Sequence, residues 1–163
     1  MIKMVVGNLL NAPEDVICHQ VNCQNVMGAG VAKALYTRWP EVKRAYHRYC
    51  GCFKDPENLL GQVQIVEVAP NKQVANIFGQ LEYGRDKHRR YTDYSALTNA
   101  FNQIRFECSG KSLAFPYGFG CGLANGDWKI VRKMMDIYFG EMDVTIYQLP
   151  EQVDAKIDIG VAA

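Results

Sequence analysis

The sequence lacks any marked excess of charge. Its 18 lysine and arginine residues nearly balance 17 aspartate and glutamate residues, which gives a formal net charge of +1. The overall charge therefore offers no argument for binding to nucleic acid or to a membrane. Long hydrophobic runs are also missing, since no stretch approaches the roughly 18 apolar residues of a membrane span. The first residues turn polar too quickly for a signal peptide, so we expect a cytoplasmic protein.

The chain has few of the residues that build metal sites. Histidine occurs three times, and Cys50 and Cys52 are one residue apart rather than two, so no zinc-ligand spacing is present. No cluster of carboxylates occurs either, and we expect neither a metal nor another cofactor. The six cysteines lie within apolar runs, which favours reduced thiols over a disulfide framework.

Internal repeats and low-complexity segments are absent too. With 48% hydrophobic and 21% charged residues, the 163-residue chain has the balance of one globular domain. We assign this domain to residues 1–150 and expect residues 151–163 to form a mobile C-terminal tail.

Strand and helix patterns alternate along the chain. Apolar, β-branched or period-two runs predict strands at residues 1–6, 16–21, 63–68, 74–78, 113–115 and 144–147. Helical spacing and proline boundaries predict helices at residues 29–39, 41–49, 93–108 and from about residue 127. Residues 63–68 and 74–78 form a predicted hairpin, and Thr92 or Asp93 caps the third helix. The pattern predicts a three-layer α/β domain with a mixed sheet.

Two glycine-rich segments each leave a predicted strand and enter a helix, at residues 22–30 and 116–123. Ligands of open α/β sheets bind at the carboxyl ends of strands. Glycine lets main-chain N–H groups approach a phosphate, and a helix N-terminus adds about half a positive charge. Neither segment fits the Walker or the dinucleotide-binding pattern. The alternative is that both are merely tight turns.

The residues resemble the macrodomain family from about residue 1 to 149. The resemblance lies in Gly7-Asn8-Leu9-Leu10, in Val16–Asn22, in Met27–Ala32, and in Phe115–Leu123 followed by Trp128. It implies a six-stranded mixed sheet between helices in an α/β/α arrangement, with an ADP-ribose cleft across its top. ADP-ribose or a derivative is therefore the expected small-molecule partner, while the oligomeric state stays open.

The resemblance also implies positions for the parts of the ligand. Asn22 and Asn25 would lie near the distal ribose, and adenine near Asn8 and Leu9, covered by Tyr147. The phosphates would be held by the backbone of two segments: Gly28, Ala29, Gly30 and Val31, and Gly118, Phe119, Gly120, Cys121 and Gly122.

Departures from the family pattern count against some of the reactions that members of the family perform. Asn8 replaces the usual aspartate, and Ala32 stands where many protein-directed hydrolases carry an acidic residue. The lysine-dependent glycohydrolases need a lysine where this chain has Phe78–Leu81, and an aspartate where it has Ala124. The chain is most similar to the small stand-alone members that remove phosphate from ADP-ribose 1''-phosphate.

We therefore expect hydrolysis of that phosphate monoester. His19 is the candidate general base, and Asp127 the candidate for orienting the attacking water. The alternatives are that His19 is a core histidine and Asp127 a helix N-cap. Cys121 beside a helix N-terminus is a possible nucleophile, although Cys23 and Cys121 are more typical of small packing residues.

Residues 85–90 form a basic run with Arg85, Lys87, His88, Arg89 and Arg90. Such a run is usually a solvated loop, but it is also suited to a terminal phosphate or to nucleic acid carrying ADP-ribose. Nucleic acid is expected only as such an ADP-ribosylated target. Three rival functions stay open: a reader without turnover, a glycohydrolase acting on protein or nucleic acid, and an unrelated nucleotide-binding protein.

Overall fold

A computed structural model describes residues 2–153 of the chain. Six strands form one mixed sheet in the order β1-β6-β5-β2-β4-β3. The strands are β1 (Ile2–Val6), β2 (Val16–Asn22), β3 (Val63–Ala69), β4 (Lys72–Gln80), β5 (Leu113–Pro116) and β6 (Val144–Gln148). All neighbours are parallel except β3 and β4, which form the predicted antiparallel hairpin.

Four helices cover the two faces of the sheet. They are α1 (Gly30–Arg38), α2 (Glu41–Cys50), α3 (Tyr94–Glu107) and α4 (Trp128–Phe139), with 3-10 turns at Leu9–Asn11 and Pro56–Leu59. One apolar core joins α3 and α4 to the sheet through residues such as Phe101, Phe115 and Phe139. The other core joins α1 and α2 through Leu35, Val42 and Tyr46. The three-layer α/β/α prediction is confirmed.

β4 extends furthest beyond its predicted bounds, and the structure decides between the two residues predicted to cap α3. β4 begins at Lys72 and ends at Gln80, because its polar ends pair with β2 and β3 and continue the ladder beyond the apolar centre. Asp93 rather than Thr92 caps α3, with its side chain accepting from the Ala96 N–H at 2.9 Å. Thr92 donates instead to the Gly120 carbonyl.

The ends of the chain are only partly described. The predicted tail lies outside the described residues from residue 154 onward, while residues 150–153 form a helical turn. None of the helices between residues 2 and 153 combines the length and the apolar content of a membrane span. All six cysteines are free thiols, as the sequence predicts.

Candidate functional site

The two glycine-rich loops leave the sheet at the same edge. Loop 1 (residues 23–29) follows β2, and loop 2 (residues 117–127) follows β5. β2 and β5 are adjacent and parallel, so their carboxyl ends meet at the same edge. Gln20 of β2 lies directly beneath loop 2, because a Cβ on Gly120 would stand only 2.9 Å from Gln20 Oε1.

The backbone of loop 2 alternates between paired and unpaired amides. The N–H groups of Tyr117, Phe119 and Cys121 donate to main-chain carbonyls of the fold, at 2.8, 3.2 and 2.8 Å. Those of the intervening glycines have no acceptor within residues 2–153: Gly118, Gly120 and Gly122. Gly118 and Gly120 have φ of +73° and +72°, a conformation that favours glycine. Loop 2 therefore offers alternate amides to a ligand.

Phe119 contributes to loop 2 through its backbone alone. Its side chain is 2% exposed and packs between Phe101 and Phe115 in the core. Because the ring is anchored below the sheet edge, the glycines on either side are held at the surface.

Loop 1 ends at a helix N-terminus that no side chain caps. Ala29 occupies the N-cap position of α1, and the first turn holds no acidic residue. The N–H groups of Gly30, Val31 and Ala32 have no acceptor in the described part of the chain. By contrast, α3 and α4 are capped by Asp93 and Asp127. The positive end of the α1 dipole is thus left uncompensated beside loop 1.

Helix α2 holds loop 1 in place through Tyr46 and His47. The Tyr46 hydroxyl donates to the main-chain carbonyl of Asn22 at 2.8 Å, and His47 Nδ1 donates to Asn25 Oδ1 at 2.6 Å. Asn25 has φ of +61° and is exposed, and its Nδ2 group stays open to a ligand. No sequence pattern identifies Tyr46 or His47 as site residues, because none specifies how α2 packs on loop 1.

Asn22 is committed to the loop itself. Its Oδ1 accepts from the Gln24 N–H at 2.9 Å, and its Nδ2 donates to the Val26 carbonyl at 2.8 Å. Its predicted ribose contact stays a prediction, while the structure gives it a scaffolding role.

Two polar side chains hold loop 2 in place: Thr92, which is distant in sequence, and Asn125, which lies within the loop. Thr92 Oγ1 donates to the Gly120 carbonyl at 2.5 Å and accepts from Gln20 Nε2 at 2.9 Å. Asn125 Nδ2 donates to the carbonyls of Asp86 and Arg89 at 2.8 and 2.7 Å. The two hydrogen bonds of Asn125 dock the basic run of residues 85–90 against loop 2.

The predicted adenine region lies where β1 and β6 end. Asn8 caps the 3-10 turn, with Oδ1 accepting from the Leu10 N–H at 2.9 Å. Leu9 is buried, and the half-buried Tyr147 ring lies close to Gly7. The Tyr147 hydroxyl donates to Glu14, a buried carboxylate that the sequence analysis does not single out. Burial, followed by this hydrogen bond, raises the pKa of Tyr147.

His19 lies inside the sheet rather than at the loops. It is 1% exposed, and it precedes the end of β2 by three residues, or about 10 Å. Its Nε2–H donates to Asn76 Oδ1 at 2.5 Å, while Nδ1 has no partner among the described residues. Burial lowers its pKa to about 4, although the Asn76 hydrogen bond opposes the shift. This is the arrangement of a core histidine, and a catalytic role for it stays a prediction.

Asp127 sits at the exposed end of loop 2. Its Oδ1 accepts from the Lys129 N–H at 2.9 Å and caps α4, which is the alternative foreseen from the sequence. Its backbone N–H donates to the Tyr94 hydroxyl at 2.9 Å. Capping uses one carboxylate oxygen and leaves the other free to bind water.

Two hollows open on the surface. A groove of about 580 Å³ adjoins loop 1 and is lined by Leu10, Gly30, Lys33, Ala34, Thr37 and Arg38. A larger one, of about 860 Å³, includes Asp15, Ser112 and Asp143, which precede β2, β5 and β6. The larger hollow therefore lies at the amino ends of the strands, opposite the two loops, and only the groove belongs to the candidate site.

The comparisons with known proteins agree with this geometry. No family model matches the chain. A solved macrodomain protein from Streptomyces coelicolor superposes with a TM-score of 0.73 at 26% identity, covering 90% of this chain and 98% of that one. The chain has the macrodomain fold. The fold is also that of Thermosipho africanus DarTG in complex with ADP-ribose, with a TM-score of 0.74 at 19% identity over 96% of this macrodomain and 44% of that chain.

Two kinds of curated relative are similar to this macrodomain. A DNA ADP-ribosyl glycohydrolase of Mycobacterium tuberculosis is 29% identical over 96% of the chain, which spans only 42% of that relative's length. An ADP-ribose 1''-phosphate phosphatase of Saccharomyces cerevisiae is 22% identical over 91% of the chain and 98% of the relative.

The thiols of the site are protonated at neutral pH. Burial, and then the negative charge of Asp127, raises the pKa of Cys121 to about 12. Burial, and then Cys50 and Glu57, raises the pKa of Cys23 to about 12. A nucleophilic cysteine needs a lowered pKa, so these side chains are suited to packing.

We expect Cys121→Ser to retain the activity of this macrodomain. The substitution keeps the side-chain size and removes the thiol, so turnover of any ADP-ribose derivative that the wild type cleaves should stay within about twofold. Steady-state rates of the two proteins test this. A loss of turnover with unchanged ligand affinity would show that the thiol takes part in the reaction.

Proposed function

We propose that this macrodomain binds ADP-ribose and hydrolyses the phosphate monoester of ADP-ribose 1''-phosphate. The observation that carries the proposal is the pair of unpaired amide rows, at Gly118, Gly120 and Gly122 in loop 2 and at residues 30–32 after loop 1. One row follows β5 directly, and the other follows β2 after loop 1; the two strands are adjacent and parallel. Fixed N–H dipoles of this kind bind a diphosphate without needing a lysine.

The distal ribose and the adenine of the ligand would lie on the two sides of this diphosphate site. On one side, Asn25 offers its Nδ2 group to the distal ribose, while His47 holds its Oδ1. On the other side, the adenine lies by Asn8 and Leu9 against the Tyr147 ring. Asn8 differs from an aspartate in being uncharged, so adenine recognition here rests on contact area and neutral hydrogen bonds.

The proposed chemistry is attack of water on the phosphorus of the 1''-phosphate, with the loop amides stabilising charge on the phosphoryl oxygens. The bond between phosphorus and the 1'' oxygen breaks, and that oxygen takes up a proton, so the products are ADP-ribose and inorganic phosphate. Asp127 is the better placed of the two candidate residues, since it is exposed at the end of loop 2. Its free carboxylate oxygen orients the water or accepts its proton. His19 is enclosed within the sheet, and its role as general base stays a prediction that His19→Ala tests.

Calorimetric titration with ADP-ribose and phosphate release from ADP-ribose 1''-phosphate test the proposal together. We expect binding and release for the wild type. For Asp127→Asn, we expect release to fall about tenfold while affinity is kept, because asparagine preserves the cap but orients water less well. Binding without release would identify a reader, and absence of binding would overturn the proposal. Equal rates in His19→Ala and the wild type would remove His19 from the mechanism.

A second candidate function is removal of ADP-ribose from a modified nucleic acid. The docking of the basic run against loop 2 through Asn125 favours it, and so does the similarity to the mycobacterial DNA ADP-ribosyl glycohydrolase. The absence of lysine in Phe78–Leu81 and the presence of Ala124 count against it. Release of free ADP-ribose from an ADP-ribosylated oligonucleotide would establish this activity.

We further propose that the protein works in the cytoplasm as one domain spanning residues 1–150. Six free thiols, most of them buried, support a reducing compartment.

A further inference from the structure

The near-neutral net charge conceals an uneven distribution. Residues 30–54, which span α1, α2 and the turn after them, contain six cations and one anion, a net charge of +5 in a chain of net charge +1. The remaining residues therefore carry a net charge of −4. The cations of this segment are Lys33, Arg38, Lys43, Arg44, Arg48 and Lys54, and the anion is Glu41.

These cations lie at the surface with little internal compensation. All are exposed except Lys43, which is half-buried. Glu41 pairs with Arg44, and the other five cations form no ion pair among residues 2–153. We call this surface the basic face.

Aromatic rings at the junction of the two helices bring the cations together. Lys43 Nζ of α2 lies 4.4 Å from the ring centroid of Tyr36 on α1, and Arg38 Cζ lies 5.4 Å from that of Trp39. Because the ring faces are covered by cations, the basic face presents charge rather than open stacking platforms.

The basic face runs up to the proposed diphosphate site. The groove of about 580 Å³ that holds Lys33 and Arg38 also contains Gly30, whose N–H belongs to the unpaired amide row. A chain of phosphates lying along α1 would therefore reach the site without passing an acidic side chain of that helix.

We propose that the basic face binds the phosphate backbone of a nucleic acid whose ADP-ribose group occupies the neighbouring cleft. The proposal names a carrier of the ligand, so it rests on the ADP-ribose binding proposed above and deepens the second candidate function. Six cations on two neighbouring helices and the turn after them, five of them without an ion pair among residues 2–153, are suited to the repeated charge of a nucleic acid backbone. A membrane partner is disfavoured, because the exposed side chains of α1 and α2 are polar or charged except for alanines and Val31.

Fluorescence anisotropy with a labelled, unmodified oligonucleotide, single-stranded or duplex, tests the surface at several salt concentrations. We expect the wild type to bind with an affinity that falls steeply as salt rises. In Arg38→Gln/Arg48→Gln, the slope of log affinity against log salt should shrink by about two, and binding at low salt should weaken by about tenfold or more.

The matched control is Lys129→Gln/Lys133→Gln, which removes two exposed charges from α4 on the opposite layer. It should bind within about twofold of the wild type. An equal loss in both variants would overturn the proposal, and so would equal binding of polyglutamate, which indicates a generic polyanion surface. Wild type that binds ADP-ribose but no oligonucleotide would refute the basic face alone. Oligonucleotide binding without ADP-ribose binding would refute the proposed function instead.

Discussion

We expect Gly118→Val to weaken ADP-ribose binding by about 10- to 100-fold. Gly118 has φ of +73°, and a Cβ built there meets no atom within 4 Å, so a side chain would project from loop 2 into the space where a phosphate is proposed to lie. Loss of a hydrogen bond to a charged group costs about 1.5–3 kcal/mol, which corresponds to this range. Calorimetric titration of both proteins measures the effect.

Gly110→Val provides the matched control for backbone strain. Gly110 has φ of +80° and also has open space around its Cβ, but it lies between α3 and β5 at the opposite edge of the sheet. Both substitutions place a β-branched residue in a left-handed conformation and should destabilise the fold by roughly 1–3 kcal/mol. Only Gly118→Val should lose ligand. Unchanged binding in Gly118→Val would place the phosphates elsewhere.

We expect buried His19 to make the wild type lose stability in acid. Its pKa is about 4 in the folded chain, against an ordinary value of 6.5, so the unfolded chain binds the proton more tightly. Above about pH 6.5, His19 is neutral in both the folded and the unfolded chain and costs no stability. As the pH falls towards 4, protonation of His19 in the unfolded chain lowers the free energy of unfolding, by about 3 kcal/mol at most.

Denaturant unfolding across this pH range checks the prediction. His19→Gln removes the titrating group, so its free energy of unfolding should fall less than that of the wild type between pH 6.5 and 4. His88→Gln changes an exposed histidine in the same way and should leave the wild-type decline in place. Parallel curves for all three proteins would mean that His19 is not buried as a neutral ring.

The elements that the sequence predicts well are those with a strong local pattern. The period-two run of β3 and the apolar face of α4 can be recognised in the sequence, because each element buries one face regardless of its neighbours in the fold. The ends of β4 are missed, since Lys72 and Gln80 are polar and become strand residues only by pairing with β3 and β2. Strand ends are set by partners, which a local pattern does not contain.

The candidate site likewise has parts that a local sequence pattern predicts and parts that it does not. Glycines identify loops 1 and 2, because chain geometry at such turns demands them locally. The side chains that hold the loops, Tyr46, His47 and Thr92, come from other elements, and no spacing in the sequence connects them to the glycines. The basic face is similar: its charges can be counted in the sequence, but their meeting on one surface depends on how α1 packs on α2.

By itself, the sequence indicated the macrodomain fold, the order of strands and helices, and the two turns where a phosphate would be expected. Only the tertiary structure decided which amides of those turns are left without acceptors, and that His19 lies beneath the surface rather than at it. The reason is physical: local pattern encodes conformation and the side of an element that is buried. Hydrogen-bond completion and depth depend on residues brought together from distant parts of the chain, as Gln20, Thr92 and Gly120 are here.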